Sequence, residues 1–302
     1  MGEGLSYGKS LALMTQVVVA THGHCFDGMC SAVLFSKLLR AIEPTKSFTF
    51  HYHAMGYGPG EGIVPSTILT GDENAVLDYR FSTAPSLTWY FDHHVSAFPT
   101  EADRSEFQRR SGQKPSKTFH DGTYGSCTKL IADVARRDFG VSFEGLESLI
   151  SWADMIDRAA FPSAQMAVER KEPVIRLMAV VEAHGDSAFL SKMIPRLAET
   201  SIEQVADDPE IAQAYEPLAA LHDAFVARVR EHAQEHAGVV SVDLTSHVSD
   251  ASPKFVTYAL YPDSAYSVVL TRSSSKCKIS VGYNPWSPHP RRHNIAQICE
   301  RY

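Results

Sequence analysis

Asp92-His93-His94 closes the apolar run Leu87-Thr88-Trp89-Tyr90-Phe91, so an acid and two imidazoles arrive together where a buried strand is predicted to end. Carboxylate oxygen and imidazole nitrogen jointly suit divalent transition metals such as Mn, Fe, Co or Zn. In an open α/β sheet the carboxyl ends of strands are where ligands bind. Two adjacent histidines can equally sit exposed on any loop, so the tripeptide needs company.

Three further stretches supply it. In Val17-Val18-Val19-Ala20-Thr21-His22-Gly23-His24-Cys25-Phe26-Asp27-Gly28 an apolar β-branched run ends in a glycine-bounded polar loop, and a helical pattern follows. Gly23 and Gly28 let that backbone approach a metal or phosphate closely. Ala75-Val76-Leu77-Asp78-Tyr79 is a second apolar run ending in a carboxylate. In Leu149–Asp157, Asp154 and Asp157 stand three apart, a spacing that puts both on one helix face. Each acid alone reads as a turn or cap residue. Four clusters of Asp and His at strand ends or on helices read as a metal site.

The order His-x-x-x-x-Asp-Gly, Asp after a strand, Asp-His-His and a later Asp resembles the DHH phosphoesterase superfamily. That superfamily includes RecJ-type exonucleases, nanoRNases, cyclic-dinucleotide phosphodiesterases, exopolyphosphatases and family II inorganic pyrophosphatases. The resemblance spans roughly residues 15–302, with the diagnostic motifs in the first 160 or so. It implies His22, Asp27, Asp78, His93 and one of Asp154 or Asp157 as metal ligands, Asp78 as the bridging carboxylate, and His94 facing the substrate phosphate. Many members carry two acids in the first motif; here Asp27 stands alone, and His24 or Cys25 lies near the other position. His24 is then either a ligand or a contact to substrate or to the ligands. Cys25 is either a ligand or a buried bystander thiol.

At 302 residues the chain has room for two domains of ordinary size. No apolar run is long enough to span a bilayer, and the N-terminus lacks the pattern of a secretory signal. Five cysteines without CxxC spacing suit a reducing cytoplasm better than a disulfide framework. A net charge of −7 argues against coating long duplex nucleic acid. It leaves room for a small anionic phosphate or a short single-stranded oligonucleotide, because bound cations reverse the local field.

Strand-like runs near 16–21, 47–54, 75–79 and 87–91 alternate with helix-like runs near 29–42, 125–138 and 143–159. That alternation predicts an α/β fold with a mostly parallel, doubly wound sheet over residues 15–165, after a flexible N-terminus at 1–14. Residues 99–122 read as a long loop. Ser126 opens the next helix, either facing phosphate or as an ordinary cap. Residues 166–238 read as a helical linker, with Leu218, Leu221, Phe225 and Val229 as a packing stripe and His232 and His236 one turn apart on a solvated face. Residues 239–302 read as a smaller substrate-binding α/β domain with strands near 239–243, 255–261, 266–271 and 278–282. Its cationic candidates for substrate are Arg272, Lys276, Arg291, Arg292 and His293, and Tyr258, Tyr283 and Trp286 could stack on a base. The resemblance implies a Gly-Gly-Gly-His-like loop after about Tyr302.

The expected protein is a phosphoesterase with two metal ions, Mn²⁺ first and Mg²⁺, Co²⁺ or Zn²⁺ next, in a cleft between the domains. Asp78 and His94 are its catalytic residues. A short oligonucleotide, cyclic dinucleotide or phosphoadenosine phosphate is the leading substrate class. Polyphosphate or pyrophosphate is the alternative, a non-catalytic nucleotide or metal sensor is the reading from another class, and a homodimer stays open.

Overall fold

A computed structural model describes residues 14–58, 62–248, 255–274 and 276–301. The stretch read as a flexible N-terminus lies, Met14 apart, outside the described residues. The chain divides into two compact units, residues up to Ala160 with Val181–Val205, and Phe161–Val180 with residues from Ala206 onward.

The first unit is built on β1 (Thr15–His22), α1 (Phe26–Ile42), β2 (Phe48–Met55), β3 (Glu73–Leu77), β4 (Trp89–Asp92), α2 (Glu101–Ser111), β5 (Thr118–His120), α3 (Cys127–Phe139) and α4 (Glu147–Asp157). Its five strands are all parallel in the order β2-β1-β3-β4-β5. Successive strands thus leave β1 first to one side and then to the other. The order reverses between β1 and β3, the point where an open α/β sheet leaves a crevice at its carboxyl edge.

Both sheet faces are covered, which is why these strands read as continuous apolar runs. On one face Val18, Ala20, Val76 and Tyr90 join Val64, Leu69, Tyr79, Phe81 and Leu87. On the other, Phe35 of α1 meets Trp89 and Phe91 edge-on or tilted. Each such fully buried side chain contributes on the order of 1.5–3 kcal/mol. Helix α1 packs against α3 and α4 and is buried along most of its length.

Residues 99–122, expected as a loop, contain α2 and β5. Helix α2 carries almost no apolar periodicity: Asp103 is its buried residue, and Phe107 packs on the sheet core. It is held by a capping box, Thr100 N donating to Asp103 at 2.9 Å and Asp103 N to Thr100 Oγ1 at 3.2 Å. Glu106 then accepts from Arg109 and Arg110. Polar local bonds of this kind leave no hydrophobic pattern to read.

Further along lie α5 (Ala164–Glu169), α6 (Pro173–His184), α7 (Ser187–Glu199), α8 (Ile202–Ala206), α9 (Pro209–His232), β6 (Ala233–His236), β7 (Val239–Val248), α10 (Val256–Leu260), β8 (Tyr266–Arg272), β9 (Cys277–Tyr283) and α11 (Ile295–Cys299). Of the three unit boundaries one follows Ala160 and the other two fall within α6 and α8, so α7 belongs to the first unit. The second unit has a four-stranded sheet, β6-β7-β8-β9, with only the β7–β8 pair parallel. Its core joins Val168, Phe225, Val229, Val240, Val242, Leu244, Val256 and Val269.

Three expectations change here. The run 255–261 is not a strand but α10, entered through Phe255 at φ 67°; a short buried apolar run is ambiguous between the two. Helix α9 ends at His232 and His236 lies in β6, so the two imidazoles do not share a helix. In the expected packing stripe Phe225 and Val229 are buried, whereas Leu221 is 70% exposed.

Candidate metal centre

The carboxyl ends of β1, β3 and β4 deliver the motif residues to one place. At the end of β1 the chain turns directly into α1, and Gly28 makes that turn feasible: a Cβ there would lie 2.4 Å from the His22 carbonyl oxygen. Asp27, 1% exposed, accepts from the backbone N–H groups of Cys127 at 2.7 Å and Thr128 at 3.0 Å, so it holds the first turn of α3. Asp78 follows β3 in the left-handed region at φ 52°, a conformation that aspartate tolerates better than most residues. Its N–H donates to the Phe91 carbonyl at 2.9 Å, which fixes it beside β4.

Around Asp78 the ligand-type atoms form three overlapping groups: His22, Cys25 and Asp78; Asp78, His93 and His94; Asp27, His93 and Asp157. Within each group they lie within 4.8 Å of one another. His93 Nε2 stands 3.6 Å from Asp78 Oδ1, 3.8 Å from Asp27 Oδ2 and 3.3 Å from Asp157 Oδ2. His93 Nδ1 sits 3.1 Å from the Tyr124 carbonyl, which can only accept, so Nδ1 carries a proton and Nε2 is the nitrogen turned to the carboxylates. Nε2 and Asp78 Oδ1 are both buried and lack a hydrogen-bond partner at their 3.6 Å separation. Buried polar atoms are ordinarily satisfied. A cation between them, either a proton on Nε2 or a metal ion in its place, would satisfy both.

Charge makes the same demand. Burial, then the carboxylates of Asp78 and Asp157, push Asp27 well above the usual carboxylate range. Burial and Asp78 raise Asp157 as well. Burial would also raise Asp78, but His22, His93 and the charge of His94 override it and hold that carboxyl at about 2. Burial disfavours the His93 imidazolium, yet Asp78, Asp27 and Asp157 raise it to about 9. The ion pairs of Asp27, Asp78 and Asp157 among the described residues are all with histidine. Two buried carboxylates, Asp27 and Asp78, beside the more exposed Asp157 need compensating positive charge, and a divalent ion would supply it.

His94 points differently. Its Nδ1 donates to Asp92 Oδ1 at 2.7 Å, leaving Nε2 as the nitrogen open to an incoming group; the side chain is 35% exposed. Asp92 is fully buried and also accepts from Tyr90 Oη at 3.1 Å and the His94 N–H at 3.3 Å. Its role as the anchor of His94 could not be read from the motif alone. The ring of His22 is backed edge-on by Tyr57 at 5.1 Å, another partner that the linear pattern does not signal.

Other expected residues are placed elsewhere. His24 is exposed, with Nδ1 3.2 Å from the Glu182 carbonyl, and is in none of the three groups. Asp154 accepts from Ser126 Oγ at 3.2 Å and Arg158 Nη1 at 3.1 Å, so of the two helix acids it is Asp157 that faces the cluster. Ser126, buried, caps α3 by accepting from Lys129 N, which commits its hydroxyl in both directions.

In the second unit Arg292 and His293 line a pocket of about 430 Å³ with Tyr266, Gly238 and His289. Arg291 lies over the Tyr283 ring at 5.5 Å. Tyr266 pairs with Tyr283 at one end of the β8–β9 ladder and Arg272 with Cys277 at the other. Six residues along a strand place Arg272 about 20 Å from Tyr266, so it does not join that pocket; Lys276 belongs to the same far turn. Tyr258 is buried with its hydroxyl bonded by Ser267, and the Trp286 indole donates to the Phe161 carbonyl at 2.7 Å. Of the three aromatic candidates, those two are held by the unit's own interior.

No protein-family model and no curated protein matches the chain. Solved structures do. A pGpG-specific phosphodiesterase, PggH, from Vibrio cholerae superposes with a TM-score of 0.65 at 16% identity, over 95% of this chain and 88% of that one. The DHH domain of a member of a ribosomal-protein family superposes at 0.52 and 11% identity, over 89% and 74%. At such identities the likeness establishes the fold, and the fold is that of the DHH proteins.

Proposed function

We propose that this chain is a metal-dependent phosphoric ester hydrolase of the DHH type acting on a small phosphodiester or nucleotide. The observation that carries the reading is Asp78, a buried carboxylate shared by two of the three ligand groups, whose Oδ1 faces the equally unpartnered Nε2 of His93. His22 and Asp78 would hold one divalent ion, and Asp27, Asp78, His93 and Asp157 a second. Mn²⁺ is the first candidate and Mg²⁺, Co²⁺ and Zn²⁺ the next. Ions bound there supply hydroxide near neutral pH and offset the charge of the phosphoryl oxygens.

The protein's own groups do the rest. The Tyr124 carbonyl keeps His93 in the tautomer that presents Nε2. Asp92 holds His94 by Nδ1 and raises its pKa, so the ring can donate from Nε2 to a phosphoryl oxygen as charge grows there. Arg292 and His293 are the candidates for the anionic remainder of the substrate. No covalent phospho-enzyme is required.

A linear dinucleotide such as pGpG, named for the Vibrio protein, is the first substrate to try. The test is a panel with Mn²⁺: pGpG, short oligoribonucleotides, cyclic dinucleotides, phosphoadenosine phosphate, polyphosphate and pyrophosphate. Turnover of a phosphodiester, lost in Asp78→Asn together with bound metal, is expected. Metal bound without turnover of any member would favour a sensor, and turnover of the anhydrides alone would move the substrate class.

A further inference from the structure

We infer that Cys25 is a metal ligand, and that the ion held with His22 and Asp78 therefore sits in a mixed nitrogen, sulfur and oxygen site softer than its neighbour. The inference rests on the metal-centre reading above and adds the identity of a ligand and the preference that follows.

Two residues stand near the place of the absent second acid, and the structure separates them. His24 turns to the Glu182 carbonyl, whereas Cys25 Sγ approaches Asp78 Oδ2 to 3.4 Å, with His22 Nδ1 3.8 Å from the same oxygen. Cys30 and Cys127 are buried outside the three groups, and Cys127 Sγ is engaged with the Phe91 carbonyl. Cys25 is therefore the thiol of this cluster.

A second observation concerns the backbone. Cys25 is the N-cap of the 17-residue helix α1, and its Sγ accepts from the Gly28 N–H at 3.5 Å. Caps of this kind are ordinarily Ser, Thr, Asp or Asn. A helix N-terminus favours negative charge at its cap, and a divalent ion held by His22 and Asp78 would take the thiolate as a ligand.

The step balances simply. The S–H bond breaks, a metal–sulfur bond forms, a water leaves the ion and the proton goes to solvent. The position then carries two negative ligands, Asp78 and Cys25, so the charge missing from the first motif is restored on sulfur. Thiolate favours Zn²⁺, Co²⁺ or Fe²⁺, whereas Asp27, Asp78, His93 and Asp157 form a harder set suited to Mn²⁺ or Mg²⁺.

Cobalt reports on this directly. The full chain is stripped of metal and reloaded with Co²⁺, and bound cobalt is counted by elemental analysis. Thiolate-to-cobalt charge-transfer absorption in the near-ultraviolet is expected in the parent and in Cys277→Ser, and not in Cys25→Ser. Cys25→Asp, which keeps a good cap, should bind metal but lose at least ~10-fold in its preference for Zn²⁺ over Mn²⁺. Zn²⁺ should protect Cys25 from alkylation by iodoacetamide. Cobalt bound without the band, or a band surviving in Cys25→Ser, overturns the inference and leaves the metal centre standing. No bound cobalt in the parent overturns both.

Discussion

The two units hold their charged groups in opposite ways. In the first, Asp27, Asp78 and Asp92 are at most 1% exposed, and their orientation is set by backbone amides, by Cys25 or by His94 and Tyr90. In the second, Arg272, Arg291, Arg292 and His293 are all exposed. Groups that stabilise a developing charge work best when fixed before the reaction. Groups that only recognise an anion can stay solvated and adapt. On the proposed reading, chemistry falls to the first unit and selection of substrate to the second, and that division can be broken at several points.

The largest effect is expected from Asp78→Ala, which removes the shared carboxylate: bound metal and turnover should both disappear while the protein stays soluble. Full activity with full metal would end the assignment. His94→Ala should keep its metal and lose about 10²–10³-fold in kcat, the scale for a single transition-state donor. Metal loss in that variant, read by elemental analysis, would make His94 a ligand instead.

Proton competition gives the next effect. In the metal-free protein His93 is held at about 9, so it is protonated at neutral pH. An ion held by Nε2 must displace that proton, so affinity should rise with pH across neutrality, by at least about tenfold per unit. Titration calorimetry at several pH values measures the slope. A flat profile would mean that Nε2 is not a ligand.

In the second unit, Arg292→Ala should raise KM about tenfold for a dinucleotide and leave a small artificial phosphodiester unaffected. Arg272→Ala, at the far end of β8, should change neither. Equal losses on both substrates would move Arg292 into the chemistry. Little effect on turnover is expected from Asp154→Ala either. It takes the partners of Ser126 and Arg158, lowers the Tm by a few degrees and spares the metal.

The site was largely legible because its residues end apolar runs. His22, Asp78 and His93 could be placed by asking where each run stops, since in a parallel sheet all such stops face one edge. Asp157 could not be separated from Asp154, because three residues on a helix share a face and only packing distinguishes them. His24 and Cys25 were ambiguous for a related reason: the turn between β1 and α1 is irregular, and which side chain points inward depends on the backbone there, including the left-handed residue His24 at φ 54°. Helix α2 was invisible to hydrophobic periodicity because polar bonds hold it. Helix α10 was misread because Val256, Thr257 and Tyr258 are all buried, which gives one continuous run for either structure.

Asp27 has a consequence for descent. Because it holds two amides of α3, its loss would leave two buried donors empty, at about 1–3 kcal/mol each. A duplicated copy of this gene released from hydrolysis would still be under pressure to retain that aspartate. Asp78 Oδ1 accepts no hydrogen bond from the fold, so on the proposed reading the ion is the main pressure that retains it. On that reading, among descendants of this chain, an aspartate matching Asp27 marks ancestry, and one matching Asp78 marks a retained metal centre.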